Sequence, residues 1–232
     1  MPYSPQTWID GNASYPVSAA RMGVIETGIS TATTTADAAA AIAAVKERVY
    51  TNEAARDAAI TSPTEGMQAY LTAPTVPAVT GDTYAGTPTG VQTIYNGSVW
   101  VCVTEIGATT NTSGTTASTS YTPTLTSGGT NPSVTLVTGT QALVSLSVTF
   151  NPDSVPGVCV MSFGVSGATT LAASDAQGVS MNILSATRDH TIARTFVITG
   201  LTAGTNTFTL NYKTSVGTLT AKARSVVVKG IA

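Results

Sequence analysis

The C-terminal part of the chain carries the pattern that most limits its possible folds. From Leu125 to the end, short runs of strand-forming residues are separated by turn residues such as Asn151-Pro152 and Gly200. Several runs alternate apolar and polar side chains, which places one strand face in a core and the other in solvent. The runs lie at 143–150, 158–163, 179–183, 195–198, 208–212 and 225–228. This spacing predicts an antiparallel β-sandwich or jelly roll over residues 125–232.

A helical pattern precedes this β-rich region. Residues 37–60 contain neither glycine nor proline and are rich in strong helix formers. Within them, residues recur at alternating steps of four and three, the heptad spacing of a coiled-coil seam. The seam positions are Ala38, Ile42, Val45, Val49, Asn52, Arg56 and Ala59. We therefore expect a helical oligomerisation stalk over 34–61, although an amphipathic helix packed on a globular core explains so short a repeat equally well.

A second helical pattern lies near the N terminus, after an irregular opening. Pro16 suits a first helical turn, and apolar residues follow it at spacings of three and four. Gly23 and Gly28 each weaken such a helix by about 1 kcal/mol. We expect this helix to depend on a partner surface.

The middle of the chain predicts a hairpin followed by a linker. Asn96-Gly97 separates two β-prone runs, Val91–Tyr95 and Val99–Val103, and readily forms a tight turn. We assign residues 62–107 to a small β element containing this ribbon. Residues 108–124 are rich in Thr, Ser and Gly and predict a linker.

Charge excludes several classes of partner. Only 9% of residues are charged and the net charge is -2, so the chain lacks the clustered cations that nucleic acid or anionic lipid requires. No apolar run is long enough to cross a membrane, and the opening residues lack the order of a signal peptide. Four basic residues near the C terminus are expected on solvent faces of strands, or in a contact patch for another subunit. They are Lys213, Lys222, Arg224 and Lys229.

No catalytic or metal-binding pattern is visible. His190 is the only histidine, and neighbouring Asp189 points to the opposite face of a strand, so it is badly placed to orient the imidazole. A hydrolase would have to rely on His190 and the β-domain carboxylates Asp153, Asp175 and Asp189, which form no recognisable pair. We expect neither enzymatic activity nor a cofactor. Cys102 and Cys159 are expected to be buried free thiols.

Four aromatic residues offer a possible sugar-binding platform. Trp8, Trp100, Tyr95 and Tyr121 could stack on sugar rings, but packing against a helix or a neighbouring chain is the commoner role for Trp100 beside a turn.

Three patches of the sequence resemble virion appendage proteins of tailed bacteriophages, especially those infecting actinobacteria. The patches are Trp8-Ile9-Asp10-Gly11 with 16–22 and 25–29, then 63–71 with 94–100, and 199–208 with Lys213 and 226–228. The second patch looks like a short β element of tail and fibre proteins. The third is similar to jelly-roll tips.

The resemblance implies a homotrimer located in the virion and assembled in the host cytoplasm. Residues 1–33 would attach it to capsid or tail proteins, a short coiled coil would follow, and the β-sandwich would form a distal head. The attachment residues would be Trp8, Ile9, Val17, Met22, Ile25 and Ile29. A head fibre, a capsid decoration protein and a minor tail protein all fit. A tip that binds a host-surface glycan during adsorption is the alternative.

Overall fold

The protein is mainly β, with an N-terminal helix and several antiparallel sheets. The computed structural model describes residues 19–45, 48–81, 89–152, 157–183 and 188–232. Two compact units divide the chain, residues 1–48 and 49–232.

The first unit contains one long helix, α1 (Ala19–Val45). It crosses residue 33 without a break, so the boundary expected there between an attachment segment and a stalk is not a helix boundary. The helix is rich in threonine, a weak helix former because its side chain is branched at Cβ. Threonine hydroxyls donate to carbonyls one turn earlier, as from Thr27 to Gly23 at 2.8 Å and from Thr31 to Thr27 at 2.9 Å.

The expected single helix over 37–60 is wrong. After α1 the chain forms a short strand, β1 (Arg48–Tyr50), and a second helix, α2 (Glu53–Ala59). Asn52 causes the new start, because its extended backbone and its Oδ1, which accepts from the Ala55 N–H at 3.0 Å, make it an N-cap. The heptad positions therefore do not share one helix.

The small sheet has the strand order β1-β2-β4-β5, where β2 is Gln68–Leu71, β4 is Val91–Tyr95 and β5 is Trp100–Cys102. The predicted hairpin is confirmed, with Tyr95 opposite Trp100. Its loop is longer than a two-residue turn: Asn96 Oδ1 accepts from the N–H groups of Ser98 and Val99 at 3.1 and 3.0 Å. Gly97, with φ of 88°, occupies the left-handed region.

Two larger sheets form the rest of the second unit. The front sheet has the order β11-β10-β13-β8-β3, and the back sheet has the order β12-β9-β14-β6 with β7 also paired to β14. Their strands are β3 (Ala78–Thr80), β6 (Ile106–Thr110), β7 (Gly114–Thr116), β8 (Ser133–Thr138), β9 (Gln141–Pro152), β10 (Gly157–Gly167), β11 (Val179–Ile183), β12 (His190–Thr199), β13 (Gly204–Thr214) and β14 (Leu219–Ile231). All six predicted strand runs are confirmed.

The main core brings together inward-facing residues of both large sheets. Phe163 on β10 contacts Phe208 of the same sheet at a ring-centroid distance of 5.8 Å and Phe196 of the back sheet at 6.4 Å. Cys102 and Cys159 are buried free thiols, as predicted. Burial raises the pKa of Cys102 to about 11, which keeps the thiol protonated.

The expected linker at 108–124 is wrong. β6 and β7 both pair with β14, and Thr122 bridges Tyr212 on β13. Because threonine is branched at Cβ, it suits strands despite its polarity, and this Thr-rich segment extends the back sheet. Strand β3, from the segment assigned to the small β element, likewise pairs with β8 of the front sheet.

Candidate assembly surfaces

Helix α1 exposes large apolar side chains. Val24, Ile25 and Ile29 are 73%, 52% and 44% exposed, whereas Met22 is half-buried. Three of the predicted attachment residues therefore lie on α1, two of them clearly exposed. Trp8, Ile9 and Val17 lie outside the described residues.

The predicted oligomerisation seam is divided among four structural settings. Ala38, Ile42 and Val45 lie on α1, at positions where only the backbone is described. Val49 is exposed in β1, Asn52 caps α2, and the exposed Ala59 ends α2. Since a seam needs one continuous helix, these residues do not form one stripe. Whether any of them meets another copy stays a prediction.

Arg56, another of the predicted seam residues, is buried within the second unit. Its guanidinium carbon lies 4.7 Å from the Trp100 ring centroid, and its Nε donates to Asp57 at 2.9 Å. Tyr95 also contacts Trp100, which is only 8% exposed. Trp100 thus packs against helix α2, as expected. Because Arg56 covers one face of the ring and little of Trp100 is exposed, this ring offers no free face on which a sugar could stack.

Tyr121 lies in a polar cluster on the outer face of the front sheet. Its hydroxyl donates to Asp175 at 2.6 Å, while Lys213 Nζ lies 2.7 Å from Asp175 and 4.8 Å from the Tyr121 ring centroid. Hydrogen bonds from Lys213 and Tyr121 hold the pKa of Asp175 below its usual value. Burial, with Asp175 adding to it, raises the pKa of Tyr121. The cluster therefore ties segment 117–124 and the turn at Asp175 to β13.

The outer face of the back sheet carries several hydroxyl side chains. Hydroxyl side chains on β9 and β12 bond to each other across the strands, Ser145 to Thr195 and Thr149 to Thr191, each at 2.8 Å. The register places small residues on β14 and β6 beside them. At the rim, Lys222 pairs with Asp189 at 2.7 Å. On this face the hydroxyl groups of neighbouring strands therefore hydrogen-bond to each other.

Arg224 contradicts the expectation that the C-terminal basic residues mark solvent faces. It is 1% exposed, and its guanidinium donates to the Tyr212 hydroxyl at 3.2 Å, the Thr112 carbonyl at 3.1 Å and the Gly128 carbonyl. A bulge in β14, with φ of 46° at Ala223, turns this side chain inward. No sequence motif signals such a bulge. Arg224 binds two loops to β13 and β14, which is a structural role.

Two of the residues considered for hydrolysis, Asp175 and Asp189, are held in ion pairs. Asp189 accepts from Lys222 and from Asn151, and these contacts lower its pKa. Asp175 is paired with Lys213 as described, and Asp153 lies outside the described residues. A carboxyl group that acts as a general acid has a raised pKa. The pKa values of Asp175 and Asp189 are instead lowered.

The described residues contain neither a candidate metal-binding cluster nor a candidate membrane-spanning helix. They contain no group of three or more His, Cys, Asp or Glu residues that could hold a metal ion. The same ranges contain no helix long and apolar enough to span a membrane.

Comparison with known proteins gave structural similarities only. No protein-family model and no curated protein sequence matches the chain. Similar solved structures include the TNF Eiger from S. frugiperda, with TM-score 0.38, 10% identity and coverage of 53% of this chain and 87% of that one. A protein of the infectious bursal disease virus particle has TM-score 0.39, 16% identity and coverage of 61% and 40%.

The enzymatically active domain of tailspike protein 4 from bacteriophage CBA120 is also similar, with TM-score 0.26, 12% identity and coverage of 72% and 20%. The aligned part of this chain therefore spans less than half of either viral protein. With TM-scores below 0.5, these likenesses assign neither a function nor a partner to this chain.

Proposed function

We propose that this chain is a structural component of a bacteriophage virion, a homotrimeric appendage that attaches through its N-terminal unit and displays the β unit outward. The observation that carries this proposal is the pair of exposed isoleucines, Ile25 and Ile29, in the N-terminal part of α1, which contains two glycines and several threonines. Such a helix gains its stability from packing against another protein surface. An assembly role requires that kind of surface.

The β unit supports the same proposal from its own features. Its main core buries apolar residues between two sheets, and the ion pairs Lys213–Asp175 and Lys222–Asp189 lie at the surface. We further propose that the two sheets form a jelly roll, supported by the successive strands β12, β13 and β14, which lie in the back, front and back sheets. A neutral, hydroxyl-rich exterior suits a part displayed in many copies, since like charges would repel within a particle.

Purified particles test the proposal. Phage particles that encode this chain should contain it after density-gradient purification, and deletion of residues 1–33 should remove it from the particles while the β unit stays folded. Circular dichroism of the deleted protein checks that fold. Recovery of the full chain only in the particle-free fraction would contradict a virion role. Labelling of intact particles in electron micrographs then decides between head and tail attachment.

A further inference from the structure

The loop between β4 and β5 contains an asparagine followed by a glycine, Asn96-Gly97. None of the other asparagines of the sequence precedes a glycine. Asparagine is a thermolabile residue, and it is lost when the backbone nitrogen of the next residue attacks its side-chain carbonyl carbon. Glycine has no Cβ to hinder that attack. The reactivity of this dipeptide therefore depends on where the loop holds the two atoms.

We propose that Asn96 is a site of spontaneous deamidation, promoted by the folded loop. Gly97 N gives its proton to solvent and bonds to Asn96 Cγ, the Cγ–Nδ2 bond breaks, and the departing amide takes up a proton and leaves as ammonia. The resulting succinimide takes up one water at either of its carbonyl carbons, which yields aspartate or isoaspartate. Nothing is oxidised or reduced. This modification does not rest on the virion role proposed above.

Hydrogen bonds hold the Asn96 side chain against the peptide with which it reacts. Its Oδ1 accepts from the N–H of Ser98 at 3.1 Å and from the N–H of Val99 at 3.0 Å. An asparagine bonded to the N–H two residues further on forms an Asx turn, which folds its side chain along the following peptide. The carbonyl carbon is therefore held on the side of Gly97 N. Positioning two reacting groups in this way lowers the barrier to ring closure.

The same hydrogen bonds stabilise the charge that develops during the attack. When Gly97 N bonds to Cγ, the electrons of the side-chain carbonyl move to Oδ1, which becomes negative. Two backbone N–H groups already point at this oxygen, as the donors of an oxyanion hole do. The loop therefore supplies both the orientation and the electrostatic stabilisation that the first step requires.

The attacking nitrogen is free to react. None of the described residues accepts a hydrogen bond from the Gly97 N–H, whereas the N–H of Asn96 is held by the Val99 carbonyl at 3.1 Å. Gly97 is also exposed, so solvent base reaches this part of the loop. The proton that must leave before the attack is therefore accessible.

Asn111 provides a contrast within the same chain. It is exposed, but the next N–H, that of Thr112, donates to Thr110 Oγ1 at 3.3 Å. Threonine is also branched at Cβ, which crowds the nitrogen that would attack. Asn111 therefore serves as an internal control that shares exposure with Asn96 and lacks the reactive geometry.

Deamidation changes the surroundings of the hairpin. The Glu65 carboxylate lies beside the loop, with Oε2 3.8 Å from the position that a Cβ on Gly97 would take. A new carboxylate at position 96 adds a like charge nearby, and isoaspartate lengthens the backbone by one carbon. Trp100 begins the strand that follows the loop and packs against Arg56. The modification therefore acts on the contact between the small sheet and α2.

Peptide mapping of the full chain during storage at mildly alkaline pH tests the proposal. Cleavage after Glu65 and Glu105 gives the peptide 66–105, whose only asparagine is Asn96. Mass spectrometry should show that this peptide gains the mass difference between an amide and a carboxylic acid, with aspartate and isoaspartate both present. The Asn111 amide should stay intact. The variant Asn96→Gln should remove the change, because its side chain would have to close a larger ring.

The same measurement on the chain unfolded in urea separates the effect of the loop from that of the dipeptide. The folded chain should deamidate at Asn96 at least as fast as the unfolded chain, because the loop holds the reacting atoms together. Slower deamidation of Asn96 in the folded chain than in the unfolded chain would overturn the proposal. Equal loss of the Asn96 and Asn111 amides in the folded chain would overturn it as well.

Discussion

The two units of this chain differ in how far they bury their own apolar side chains. The β unit buries Phe163, Phe208 and Leu146 between its own sheets and holds loops in place with a buried arginine network. Helix α1 instead exposes Val24, Ile25 and Ile29, and the part of the helix around them contains glycines and threonines, which are weak helix formers. The stability of the β unit is therefore intramolecular, whereas that of α1 is expected to depend on assembly. The proposed assembly role therefore belongs to α1, the helix that leaves large apolar side chains exposed.

The largest expected effect is in the β core. Phe163→Ala removes a fully buried ring that contacts Phe196 and Phe208 and should lower the free energy of unfolding of the β unit by about 3–5 kcal/mol. Chemical denaturation followed by tryptophan fluorescence measures this loss. Val197→Ala, at an exposed position on β12, is the control and should change stability by less than about 0.5 kcal/mol. A similar loss in both variants would contradict the assigned core.

The buried arginine should have the next largest effect. Arg224→Ala leaves the Thr112 and Gly128 carbonyls and the Tyr212 hydroxyl without their charged donor, and should cost about 3 kcal/mol. Thermal unfolding of the variant beside Lys229→Ala measures the difference. If both substitutions cost equally little, the β unit would not depend on this network.

A glycine substitution tests the stability of α1 separately from that of the β unit. Gly28→Ala should stabilise α1 by about 1 kcal/mol, because a Cβ there meets no atom within 4 Å and alanine is the better helix former. Amide hydrogen exchange should show slower exchange along α1 and unchanged exchange in the β strands. Slower exchange in both units would mean that the two are not energetically separate.

The smallest effect concerns a surface ion pair and depends on pH. The lowered pKa of Asp175 contributes stability above the carboxyl pKa of the unfolded chain, and this contribution is lost as pH falls through the lower folded pKa. Asp175→Asn should therefore cost less than about 1 kcal/mol at pH 7, and less at pH 2 than at pH 7. Urea unfolding of the wild type and the variant at the two pH values measures this loss of unfolding free energy. An equal loss at both pH values would show that the charge of Asp175 is not its cause.

Local patterns predicted most of the β unit. Alternation at 143–150 and the Asn96-Gly97 turn each depend on neighbouring residues alone, and both gave the correct strands. Pairing between distant segments escaped prediction, since β1 forms only by meeting β2 and the Thr-rich residues 108–116 become strands only beside β14. The inward turn of Arg224 depends on a bulge that composition does not reveal.

The surfaces of α1 were partly predictable for a similar reason. Ile25 and Ile29 stand out as apolar residues on a helical pattern, and the structure exposes both. The single helix expected from Ala38 to Ala59 is interrupted, because spacing alone does not show where a helix ends. Helix α1 ends at Val45, and Asn52 starts a second helix by accepting a hydrogen bond from the Ala55 N–H.

Hydrogen exchange as a function of protein concentration tests the central claim most directly. If α1 is held by association and the β unit by its own core, the exchange of α1 amides should slow as concentration rises through the monomer–trimer transition. The amides of β9, β10 and β13 should exchange at the same rate throughout. Exchange along α1 that does not change with concentration would contradict the account.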